Sequence, residues 1–123
     1  MAKTKDPLDK PEAAIAKIAL AYPDVTEDHP WGERAFKVKG KVFLFLSRHE
    51  GGLNATVKLP QSNTFALTQP FAKPTGYGLG KSGWVSCRFE ATDDLPLDLL
   101  EDWIAESFRA VAPKKVVAKL DGG

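Results

Sequence analysis

The sequence predicts a single α+β domain, with one antiparallel sheet packed against an N-terminal helix and a long C-terminal helix. Three observations lead there. Apolar residues recur at period two between residues 25 and 59, where the pattern is cut by Lys-Gly-Lys and Glu-Gly-Gly. Stripes at helical spacing lie on both sides of that stretch, at Ile15, Ile18, Ala19 and Tyr22 and again from Leu99 to Val111. The chain has 123 residues, 43% of them apolar, which suits one domain with one core. Residues 1–123 are therefore expected to form one unit, with 1–8 and 121–123 as loose ends.

Asp9 and Glu12 have the spacing of a capping box, so the first helix is expected to begin there and to end at Pro23. A three-stranded meander should follow, built from Ala35–Lys39, Val42–Leu46 and Leu53–Leu59. Val42–Leu46 is apolar at every position, which suits a central strand covered on both faces. Leu53–Leu59 alternates, with Leu53, Ala55, Val57 and Leu59 directed inward. The hairpin at Gly40 fits two registers, which leaves open whether Phe43 or Leu44 points to the core.

Pro60–Thr68 reads as a short helix, followed by a loop rich in glycine and proline that ends at Gly83. In the next strand, Trp84–Phe89, one side carries Val85, Cys87 and Phe89 and the other carries Trp84, Ser86 and Arg88. Pro96 opens the second long helix, whose apolar face includes Leu99, Leu100, Trp103, Ile104, Phe108 and Val111. Pro113 stops it, and Lys114–Leu120 reads as a final short helix.

Several function classes find no support. The longest apolar run is five residues, far short of the roughly 20 that span a bilayer. The first residues lack the apolar stretch of a secretory signal, and one cysteine cannot form an internal disulfide, so a cytoplasmic setting is expected. Gly76–Ser82 has one residue too few for a phosphate-binding P-loop and runs into a strand rather than a helix. Cys87 shares the apolar side of its strand, where a thiol is inert. His29 and His49 lack the further ligands of a metal site, and the acids from Asp93 to Glu106 fit a solvated helix face. No cofactor and no catalytic activity are expected.

The charge pattern is uneven. Of 17 cations and 16 anions in the chain, residues 34–88 hold nine cations and a single anion, Glu50. Strand alternation sets Lys37 with Lys39, Lys58 with Asn54 and Thr56, and Arg88 with Trp84 and Ser86 on the outer face. Such a basic, partly aromatic face suits nucleic acid, with lysines on phosphates and Trp84 stacked on a base. It equally suits solubility, since lysine on an exposed strand blocks edge pairing. Two other binding modes compete: a protein partner docked on the acidic C-terminal helix or a sheet edge, and a small anion held by the Gly76–Gly83 loop with Lys81.

Asp24-Val-Thr-Glu-Asp-His-Pro-Trp-Gly32, Ala35-Phe-Lys-Val-Lys-Gly-Lys-Val-Phe43 and Gly80-Lys-Ser-Gly-Trp-Val85 together resemble the MmcQ/YjbR family of small bacterial proteins. The resemblance covers nearly the whole chain. Phe108 stands where the family often has Tyr, and the glycine-rich loop before Lys81 is one residue longer than the commoner form. The resemblance implies a CyaY-like α+β fold with a double-wing DNA-binding arrangement. It brings no catalytic residues and marks Lys81 and Trp84 as candidate contacts. With the charge pattern, the candidate nucleic-acid contacts are Lys37, Lys39, Lys58, Lys81, Trp84 and Arg88, with DNA as the expected partner and low sequence specificity.

Overall fold

A computed structural model describes residues 6–76 and 79–122. In chain order the elements are α1 (Asp9–Leu20), β1 (Val25–Asp28), β2 (Arg34–Val38), β3 (Lys41–His49), β4 (Gly52–Lys58), α2 (Asn63–Ala66), β5 (Ala72–Pro74), β6 (Trp84–Glu90), α3 (Leu97–Val111) and α4 (Lys114–Leu120). The strands form one six-stranded sheet in the order β1-β2-β3-β4-β6-β5, and every neighbouring pair is antiparallel. This is the expected α+β class. Helix α3 lies on β3 and β4, and α1 packs beside it.

The two long hairpins turn in two residues each. Lys39 and Gly40 have φ of 50° and 83°, and Glu50 and Gly51 have φ of 50° and 78°. Positive φ at both turn positions matches the right-handed twist of the flanking strands. β1 is an additional strand that the period-two reading did not separate. Only Val25 in it is apolar, so it carries no alternation to detect, and it begins after Asp24, whose φ is 61°. The meander thus has four strands rather than three. β5 lies inside the stretch expected to be loop, and α2 is shorter than Pro60–Thr68.

Phe43 and Leu44 both point to the core, because β3 carries a β-bulge. Phe36 pairs with Leu44 and Lys37 with Val42, which leaves Phe43 as the surplus residue. Both side chains are fully buried. The run Val42–Leu46 is consequently not covered on both faces: Val42 and Phe45 are half-buried on the outer side. Phe43 meets Phe108 edge-on at 5.2 Å, and Phe108 stacks on Tyr22 at 4.6 Å. These aromatic contacts join the turn after α1 to β3 and α3, each adding about 0.5–1.5 kcal/mol beyond buried area. Leu53, Ala55, Val57 and Leu59 face the helices as expected.

The capping box does not form. The residue before α1 is Leu8, and no side chain caps the helix. Asp6 accepts the Leu8 amide at 2.8 Å instead. Asp9 and Glu12 bind Arg48 at 3.2 and 2.7 Å, and Glu12 also binds Arg34 at 3.0 Å. A guanidinium offers charge-assisted hydrogen bonds stronger than those of an amide, so the arginines of β2 and β3 take both carboxylates. Residues 1–5 and 123 of the expected loose ends, and Tyr77 and Gly78 of the glycine-rich stretch, lie outside the described residues. Leu8 is buried in the core, and Asp121 holds Arg109.

Candidate nucleic-acid interface

Cross-strand pairing arranges the outer face in rows. Ser47, Asn54 and Arg88 form one row, and Phe45, Thr56, Ser86 and Lys73 the next. Lys58 stands directly opposite Trp84 in a third. Successive rows are about 7 Å apart, two residues of strand rise. The Phe45 and Trp84 rings lie 6.0 Å apart at 50°, and both are half-buried. The aromatic surface is thus a pair of rings rather than Trp84 alone.

The six expected contacts do not converge on one patch. Lys37 is on the outer face, but its Nζ is 3.1 Å from Asp28. Arg88 binds Glu90 at 2.7 Å and donates to the His49 and Glu50 carbonyls at 3.0 and 3.2 Å. Its guanidinium therefore braces the β3–β4 turn. Lys39 is not on a strand at all: β2 ends at Val38, and Lys39 is the first residue of the turn. Lys81 is exposed on a single 3-10 turn, Leu79–Ser82, which leads into β6.

Arg34 and Arg48 leave the outer face entirely. They point to the helix side, where Glu27, Glu12, Asp9 and Asp6 surround them. The Arg34 guanidinium, bonded to Glu27 at 2.6 Å, holds that carboxyl below its ordinary value. Of the nine cations between residues 34 and 88, four are thus held by carboxylates. Lys39, Lys41, Lys58, Lys73 and Lys81 make no ion pair among the described residues.

Lys41, Lys58 and Trp84 line one small cleft of about 220 Å³, together with Val42 and the end of α3 at Ala110 and Val111. Sequence reasoning overlooked Lys41 and Phe45 as site residues. Lys41 follows a turn, where a charge is ordinary, and Phe45 was hidden in an apolar run. Ser107 fixes the floor of this end: the Lys58 amide donates to its hydroxyl at 2.8 Å, and the hydroxyl donates to the Phe43 carbonyl. The Glu106 carboxylate is occupied by the Gln61 and Ser62 amides, at 2.9 and 3.0 Å, and by the Ser62 hydroxyl.

Other chemistry finds little footing. Cys87 is buried, and loss of solvation pushes its thiol up to about 12, where it stays protonated. Among the described residues no group of three His, Cys, Asp or Glu can hold a metal ion. No described helix is long and apolar enough to cross a membrane.

A helix pair on one side of an antiparallel sheet, with the other side open and carrying unpaired lysines beside aromatic rings, defines a small α+β domain with a polar, accessible sheet surface. The chain belongs to the YjbR family, whose family model matches residues 20–110. No curated protein matches the chain.

Proposed function

We propose that the domain binds single-stranded nucleic acid through the end of the sheet that carries Lys41, Lys58 and Trp84. One observation carries the reading: Lys58 and Trp84 are direct cross-strand partners, so a cation and a half-exposed indole address the same point in space. A strand laid there would place a phosphate on the lysines and a base against the ring. Lys39 and Lys81, in the turns next to β2 and β6, extend the positive end. Affinity then comes mainly from phosphate contact and stacking, which gives low overall specificity. A duplex fits less well, because the one exposed arginine on a described helix, Arg109 of α3, is held by Asp121. The domain acts as a binding module, not as a catalyst.

Titration of a labelled single strand at several salt concentrations tests this. Neutralising about three phosphates gives a slope of log K against log salt near −2 on single strands. Absence of saturable binding at low salt overturns the proposal.

A further inference from the structure

Asn54 lies in β4, flanked on both sides by strands, where asparagine is a poor choice for its backbone. Its neighbours across the ladders are Ser47 and Arg88. One row away the hydroxyls satisfy one another: Thr56 bonds Ser86 at 3.3 Å, and Ser86 bonds Thr75 at 2.9 Å. The Asn54 carboxamide joins none of these, and no described residue bonds it. It opens into a shallow groove of about 440 Å³ on the outer face, lined also by Glu33, Ser47 and Lys73.

Glu33 and Lys73 give this groove one charge of each sign, so it holds no net attraction for a phosphate. The Glu33 carboxylate accepts hydrogen bonds, which suits a neutral base edge. A carboxamide offers a donor and an acceptor side by side, and the carboxylate adds acceptors only. The pair therefore has acceptor capacity in excess, which matches a base carrying an exocyclic amino group. Phe45 is the diagonal neighbour of Asn54 across the β3–β4 ladder, a distance that long side chains and rings can bridge. A base stacked on Phe45 thus has its edge beside the carboxamide.

We infer that Asn54, with Glu33 across the groove, reads the amino group of a base next to the aromatic pair, so that the domain prefers adenine or cytosine there over thymine. This rests on the single-strand reading above. It adds a modest base preference to binding that is otherwise set by phosphates and stacking.

Fluorescence anisotropy with labelled oligo(dA), and with the same strand carrying purine in place of adenine, isolates the amino group while keeping the stacking surface. Loss of the amino group is expected to weaken wild-type binding about tenfold, a discrimination typical of one good side-chain–base contact. In Asn54→Ala the two strands should bind within about twofold of each other, with an unchanged salt slope. Equal wild-type affinity for the two strands, or a difference that persists in Asn54→Ala, overturns the inference while the single-strand reading stands. No binding to either strand removes both. The comparison of strands uses the unaltered protein, so it decides the matter even where the variant fails to fold.

Discussion

Ser107 donates its hydroxyl hydrogen to the carbonyl of Phe43, the surplus residue of the β3 bulge. The same oxygen accepts the Lys58 amide at 2.8 Å, so one side chain of α3 splices β3 to β4 just beyond their last ladder pair, Leu44 and Val57. Ser107 is the one fully buried polar residue among those described. Its replacement by Ala leaves a carbonyl and an amide without partners. Ser107→Ala should cost about 1–3 kcal/mol, read as a lower urea midpoint at unchanged m value.

The salt slope separates lysines that contact phosphate from lysines held by carboxylates. Lys58→Gln or Lys41→Gln should each reduce the single-strand slope by about 0.7. Lys37→Gln should leave it unchanged, because Asp28 already holds that charge. A reduced slope in Lys37→Gln would show that Asp28 yields its partner to the ligand.

Trp84→Ala should weaken single-strand binding by roughly 1–3 kcal/mol without altering the slope, since stacking releases no counterions. Anisotropy titrations at two salt concentrations measure both quantities together.

Acid should weaken the tie between β1 and β2 by a predictable route. Arg34 holds Glu27 below its ordinary value of 4.5. A depressed carboxyl stabilises the fold above the unfolded pKa, and that contribution is lost as pH falls through the lower, folded value. The stability gap between wild type and Arg34→Gln should therefore be widest near neutrality and should shrink below pH 4.5, as urea midpoints across the acid range would record.

Cys87 gives the opposite limb. Its thiol ionises at about 12 when folded against 9.0 in the open. The unfolded chain thus releases a proton first, and the contribution to stability declines as pH rises from 9.0 toward 12. Cys87→Ala should flatten that alkaline decline, and alkylation of the native protein near neutrality should proceed only as fast as it opens.

The inner face was legible in the sequence because alternation is local: Leu53 to Leu59 and Val85 to Phe89 each state their own facing. The bulge was not, since a run apolar at every position reads the same in either register. The site was only partly legible for a different reason. A charge is visible in the sequence, but its partner is not. Arg48 meets Asp9 across 39 positions, Arg34 meets Glu12 across 22, and Arg88 braces carbonyls 38 and 39 positions away. Alternation placed Lys58, Trp84 and Arg88 on the outer side correctly. Lys39 was misplaced because the strand was assumed to run one residue further into its turn.

The surplus residue in β3 has a consequence on the side of the sheet away from the core. With the turn at Lys39 and Gly40 fixed, an uninterrupted ladder would set Phe36 against Phe43 and Arg34 against Phe45, sending Phe45 inward among the helices. One inserted position inverts the pleat from Leu44 onward and delivers that ring beside Trp84 instead. Trimming Phe43 from the chain would accordingly spare the stacking platform: Leu44 would still face Phe36, and Phe45 would stay outward in a ladder that had merely become regular.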